Sequence, residues 1–201
     1  MTRSRYVCLL PLIAVVIWGK AAAQGQPTAP SKLPTALIGR LYEKVVARHP
    51  LGIPHGADLR IFAPYLSKGL LHRFDLTDAC FADWRRQNPD PDLKPTVGMI
   101  EDGIFSGGSE KAEPTSFHIV KTESRKDGSS RVYVKLAWED PVNKPLIWYV
   151  AAVVVPENGH PVVDDVLYLK DTKGDVESTL SEDLLAECNG GHWVGNVPNP
   201  H

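Results

Sequence analysis

The chain reads as an α+β domain: an antiparallel sheet of about four strands, packed against N-terminal helices and followed by a short C-terminal helix. Three observations predict this. Apolar residues recur at helical spacing through the first half of the sequence. They alternate with polar residues in the second half, most clearly over residues 131–139. The pairs Asp127-Gly128 and Asn158-Gly159 separate successive apolar runs there, as tight hairpin turns do.

The first helix follows from Leu37, Leu41 and Val45, which fall at i, i+4, i+8 beside Ile38, Tyr42 and Val46. Pro34 suits its first turn, where a missing N–H costs nothing, and Pro50 with Gly52 stops it. Asp58 is expected to cap a short turn carrying Leu59, Ile61 and Phe62. Ser67 should be the N-cap of a longer helix with Leu70, Leu71, Phe74, Phe81 and Trp84 on its apolar face and Cys80 beside them. Residues 89–108, rich in Pro, Asp and Gly, read as an irregular loop. A loop of this length inside a compact domain is often functional.

Strands follow. Residues 116–122 place Phe117 and Ile119 on one face and His118 and Val120 on the other. Residues 131–139 place Val132, Val134, Leu136 and Trp138 opposite Tyr133, Lys135 and Ala137. Residues 147–155 are continuously apolar, as a central strand covered on both faces would be, and residues 161–169 return as its hairpin partner. Thr179 and Glu182 form a capping box for a last helix bearing Leu180, Leu184, Leu185 and Cys188, with Asn189-Gly190 as a left-handed stop.

The termini and the composition bound the setting. Arg3 and Arg5 precede an apolar run from Tyr6 to Trp18, and Ala21, Ala22 and Ala23 close it: the pattern of a cleaved export signal over residues 1–23. An uncleaved anchor is the alternative, although the run falls short of the roughly 20 residues a membrane span needs. Cleavage after Ala23 takes 23 of 201 residues and leaves 178, the size of one domain. We divide these into a proline-bearing leader (24–34), a domain (35–190) and a tail (191–201). Arg3, Arg5 and Lys20 leave with the signal, so 19 basic residues remain against 24 acidic ones, a net charge of −5. An acidic chain without a basic cluster argues against nucleic acid or anionic membrane as the main partner, and no stable membrane insertion is expected after cleavage. The implied location is periplasmic or secreted.

Cys80 and Cys188 are the two cysteines of the mature chain, and an oxidising compartment pairs them as a disulfide. Two buried thiols are the plainer alternative. A metal site on Cys188 and His192 is the sharper one, but it lacks the second pair of ligands a structural zinc requires. No cofactor signature is present: there is no Gly-x-Ser-x-Gly elbow, no His-Glu-x-x-His, and no phosphate-cradling Gly loop.

The order of elements, with Ser67-x-x-Leu70-Leu71, Asp102-Gly103-Ile104-Phe105 and the strand Val163-Asp164-Asp165-Val166-x-Tyr168, resembles the nuclear transport factor 2 and ketosteroid isomerase superfamily. Within it the chain looks most like exported bacterial proteins of unknown function. The resemblance covers roughly residues 35 to 190. It implies a cone-like curved sheet with a pocket at its open end, and it allows a homodimer through an exposed sheet face. It carries over no catalytic assignment, and the fold hosts enzymes and binding domains alike.

Two functions are therefore expected in competition. The favoured one is a non-enzymatic exported binding or protein-interaction domain for an unidentified protein or cell-envelope ligand. Trp193 and His192 of the tail, and Asp102 and Phe105 of the long loop, would be its contact residues, because Trp is enriched at interface hot spots. The plainer role for the tail is to seal the helix layer. The alternative function is a lyase, isomerase or hydrolase that uses Asp165 or Asp164 as a base in the pocket, with His118 or a tyrosine (Tyr133, Tyr149, Tyr168) assisting. Successive strand residues point to opposite faces, so at most one Asp could enter the pocket. The plainer role for the pair is that one is solvated and the other bonds a helix N-terminus or loop.

Overall fold

A computed structural model describes residues 32–94, 103–107, 113–139, 142 and 144–195. The expected signal (1–23), most of the leader, Asp102 and the end of the tail lie outside the described residues.

Helix α1 (Lys32–Arg48) carries Leu37, Ile38, Leu41, Tyr42 and Val45 into the core, all nearly or fully buried, as their spacing requires. The turn that follows has His49 in the left-handed region (φ 47°). Helix α2 (Gly56–Phe62) runs directly into a 3-10 turn (Ala63–Tyr65). Asp58 does not cap α2. His55 occupies the N-cap position, and the Asp58 carboxylate instead accepts a hydrogen bond from Arg48 Nη2 at 2.7 Å. Ser67 caps helix α3 (Lys68–Gln87) as expected, its Oγ accepting the Leu70 N–H at 2.8 Å. Along α3 the buried positions are Leu70, Phe74, Thr77, Cys80, Asp83 and Trp84. Phe81, assigned to the apolar face from spacing, is 37% exposed, one position off the stripe that Cys80 and Trp84 define.

The sheet is a five-stranded antiparallel meander in sequence order and is not closed into a barrel. Its strands are β1 (Ser116–Ser124), β2 (Ser130–Trp138), β3 (Leu146–Glu157), β4 (His160–Leu169) and β5 (Val176–Thr179). The fifth strand corrects the expected four. Its four residues are too short and too polar to show an alternation, and pairing with β4 is what defines it. Turns Asp127-Gly128 and Asn158-Gly159 fall where the hairpins require them, and Asn158 and Gly159 both take positive φ (50° and 80°).

Each face of β3 has a distinct cover. Val150, Ala152 and Val154 join Val132, Val134 and Leu136 of β2 in the core beneath α1 and α3. On the opposite face Ala151 packs with Tyr133 and Leu167 in a second cluster. Tyr133 is held there by its hydroxyl donating to Glu123 at 2.9 Å, and by the Lys121 ammonium 4.2 Å from the ring centroid.

A β-bulge interrupts the β3–β4 ladder: Val153 pairs with Asp165 but Val154 with Val163, which leaves Asp164 as the extra residue. The simple alternation expected here therefore fails. Val163 and Val166, three apart, both reach the core.

Helix α4 (Leu180–Leu185) begins with the expected capping box, in which Thr179 and Glu182 bond reciprocally. It ends earlier than read. Glu187 adopts φ 61°, and Cys188 lies in β6 (Cys188–Asn189), which pairs with β7 (His192–Trp193). Gly190-Gly191, both at positive φ, are the turn of this hairpin rather than a helix stop. The boundary placed between domain and tail at 190/191 thus falls inside a hairpin. Among the described residues no helix is long and apolar enough to cross a membrane.

Candidate functional site

The short segment 103–107 of the long loop reaches into the main core between the helices and the sheet. Ile104 and Phe105 are fully buried, and the Phe105 ring stacks at a tilt on Phe62 with centroids 5.0 Å apart. Three aromatic side chains from three distant elements hold the backbone of this short segment. Tyr168 Oη donates to the Ile104 carbonyl at 2.8 Å, Tyr42 Oη to the Phe105 carbonyl at 2.6 Å, and Trp148 Nε1 to the Ser106 carbonyl at 2.9 Å. The carbonyl of Gly103 accepts from the N–H groups of Ser106 and Gly107, which curls the segment into a turn. Burial pushes the Tyr42 hydroxyl far above its ordinary value, so it stays a donor at any physiological pH. Gly107 (φ 56°) must be glycine on two counts: its backbone is left-handed, and a Cβ there would lie 2.6 Å from Tyr168 Cδ1. Phe105 was expected to meet a partner at the surface. Buried as it is, its ring is a core residue and presents nothing outward.

The paired aspartates each have a structural partner. Asp164 Oδ1 accepts from Ser67 Oγ, so the residue that caps α3 is itself anchored to β4. Arg73 Nη1 donates to the Asp164 carbonyl at 3.0 Å and lies 3.7 Å from its carboxylate. Asp165 Oδ1 accepts the N–H of Ser181, in the first turn of α4, at 3.0 Å, and its own neighbour's N–H (Val166) at 2.8 Å. Burial pushes the Asp165 carboxyl above its ordinary range, and the Ser181 N–H pulls it partly back. Both residues thus tie a helix N-terminus to the bulge. Only one such role was anticipated, because only an unbulged strand was assumed.

His118 is exposed on β1, directly across from Lys135. Strands β2 and β3 lie between it and β4, so three strand spacings of about 4.8 Å put it ~14 Å or more from either aspartate. It cannot share a proton with them. Of the three tyrosines considered, Tyr168 and Tyr133 donate to Ile104 and Glu123, and Tyr149 lines the groove described below.

Of the two tail residues proposed as contacts, Trp193 is docked on α3 and His192 is exposed. Trp193 packs on Trp84 and the bridged cysteines, and its backbone N–H donates to Asp83 Oδ2 at 3.0 Å. That bond, more than the Arg86 guanidinium 2.8 Å from Oδ1, holds the Asp83 carboxyl below its ordinary value. His192 is exposed, its Nδ1 3.8 Å from Asp83. Cys80 and Cys188 are joined by the expected disulfide with Cα atoms 5.9 Å apart, so neither sulfur is a metal ligand. Among the described residues no cluster of three or more His, Cys, Asp or Glu could hold a metal ion.

Among the described residues, a shallow groove of about 320 Å³ lies beside this buried segment. Leu146, Trp148, Tyr149, Leu169 and Glu177 line it together with the Ser106-Gly107 backbone. It is mostly apolar, with the Glu177 carboxylate at its margin and Leu146 44% exposed. Sequence reasoning did not single this groove out. Its residues come from β3, β4, β5 and the long loop, and no spacing joins them.

No protein-family model, curated protein or solved structure matches the chain.

Proposed function

We propose that the protein is an exported, non-enzymatic binding domain, built on the cone-like plan of the nuclear transport factor 2 superfamily, that recognises a protein or cell-envelope ligand by its surface. The observation that supports this reading is the buried segment: Ile104 and Phe105 lie in the core, fastened by Tyr42, Trp148 and Tyr168, where a cone of this plan would otherwise open a pocket. A pocket enzyme of this size would need an open cavity with converging polar groups. The two carboxylates proposed for such chemistry bond helix N-termini instead. The disulfide suits an extracytoplasmic location, and residues 1–23 would supply the export signal.

The groove at Leu146, Trp148 and Glu177 is the surface we assign to recognition, in place of Phe105. Its apolar floor with one carboxylate at the rim suits an apolar side chain flanked by a basic one. A second copy of the chain is one partner to be tested, by sedimentation of the purified protein.

Immobilised oxidised protein (residues 24–201) should retain a specific component of an envelope extract. A Leu146→Asp/Glu177→Lys variant with an unchanged circular-dichroism spectrum should lose it. Turnover of a small ester, ketone or hydroxy acid by the native protein, abolished by Asp165→Asn, would overturn the proposal in favour of the enzyme.

A further inference from the structure

The molecule has more than one core, and the difference between them has a chemical consequence. The main core of α1, α3, α4 and the sheet reaches along α3 as far as Phe74. Beyond it, Cys80 and Trp84 form a separate buried cluster whose other members, Cys188 and Trp193, all belong to the C-terminal hairpin β6–β7. Thr77 separates the two, its hydroxyl donating to the Leu184 carbonyl at 2.8 Å. The hairpin has only two paired positions, Cys188 with Trp193 and Asn189 with His192, and a pair of strands this short has no stability of its own. Besides the disulfide, the contacts that fasten it to α3 include the Asp83–Trp193 N–H bond, the packing of Trp193, His192 Nδ1 3.8 Å from Asp83, Cys188 Sγ 3.6 Å from the Leu76 carbonyl, and the close seat of Gly191 on Ala79. There a Cβ on Gly191 would lie 3.2 Å from the Ala79 Cβ.

We propose that the Cys80–Cys188 bridge is a redox clasp: its reduction releases the hairpin from α3 and uncovers Leu76, Cys80 and Trp84, while the sheet stays folded. The satellite cluster shares no buried residue with the main core, so its opening is a local event. The reductant is a dithiol oxidoreductase of the Cys-x-x-Cys class. Cys80 is fully buried, whereas Cys188 is half-buried on the hairpin, so Cys188 is the sulfur attacked. The reductant's thiolate forms a bond to Cys188 Sγ, the Cys80–Cys188 bond breaks, and the electron pair leaves on Cys80 Sγ, which takes up a proton. The reductant's second thiol then attacks its own mixed disulfide, loses its proton, and releases Cys188 as a thiol. The protein gains two electrons and two protons; the reductant becomes a disulfide.

The test is hydrogen exchange read by mass spectrometry on the full mature protein, oxidised and after treatment with a small dithiol, with a Cys80→Ser/Cys188→Ser variant as a permanently open form. Exchange should rise at least tenfold over residues 76–88 and 186–195 in both open forms and stay within twofold over residues 130–169. Loss of protection throughout the sheet, or no change over 186–195, overturns the proposal. A reductant whose second Cys is replaced by Ser should be trapped as a mixed disulfide. Its attachment to the peptide bearing Cys188 is expected, and attachment to Cys80 overturns the order of attack. These readouts do not depend on any ligand, so they fail or succeed independently of the groove.

Discussion

Single residues decide how the buried segment 103–107 stays in place, and two substitutions isolate them. Gly107→Ala places a methyl group against Tyr168 in a left-handed backbone, so we expect a loss of about 2 kcal/mol or more in urea denaturation. Trp148→Phe keeps the ring but leaves the Ser106 carbonyl without its donor; ~1–3 kcal/mol is expected by the same measurement. The aspartates respond to pH in opposite senses. Burial raises the Asp165 carboxyl, so the protonated form favours the fold and that contribution is lost as pH rises through the raised value, above 3.8. The Trp193 N–H lowers Asp83, so its contribution is present above 3.8 and is lost as pH falls through the lowered value. Melting temperatures scanned over acid pH should therefore separate the two. Asp165→Asn should hold or raise stability at neutral pH. Asp83→Asn should lower it there and soften the fall in acid. At this scale the sequence was half legible. Ser67 and the Thr179–Glu182 box could be read because a cap is a local bond. The Tyr42, Trp148 and Tyr168 contacts could not, because each joins residues more than 40 positions apart.

Among the elements, the regular ones were the readable ones. Helix α1, helix α3 and strands β1 and β2 announce themselves by period, β3 by its unbroken apolar run, and β4 by the turn that makes it the hairpin partner of β3. Strand β5 and the hairpin β6–β7 do not. With four and two residues they exist through their partners, and the two-residue strands depend on the clasp. The bulge in β4 was hidden for another reason. The run Val163-Asp164-Asp165-Val166 fits a plain strand equally well, and it is Ser67 and Ser181, beyond the strand, that draw the two carboxylates to helix ends. Helix α4 offers a clean check, since its first turn rests on the box: Thr179→Ala should cost about 1 kcal/mol by thermal or urea denaturation.

For the molecule as a whole, the fold class was legible and the groove was not. Antiparallel hairpins with helices on one face follow from two periodicities and two turn pairs. The groove follows from where the chain ends its strands, which no period encodes. The core itself should behave as one cooperative unit. Leu41, fully buried between α1 and the sheet, should cost about 2–5 kcal/mol when cut to Ala, with a single transition by circular dichroism and by tryptophan fluorescence.

The 108 positions between the bridged cysteines also set an order of events in time. At roughly 5–20 residues per second of synthesis, Cys80 is joined to the chain about 5–20 s before Cys188 exists. Through that interval the nascent chain carries an unmatched thiol, and Cys8 is the only other cysteine already made. In the form we propose is exported, without residues 1–23, Cys80 and Cys188 can pair within the chain only with each other, so its oxidation needs an electron acceptor but no proofreading.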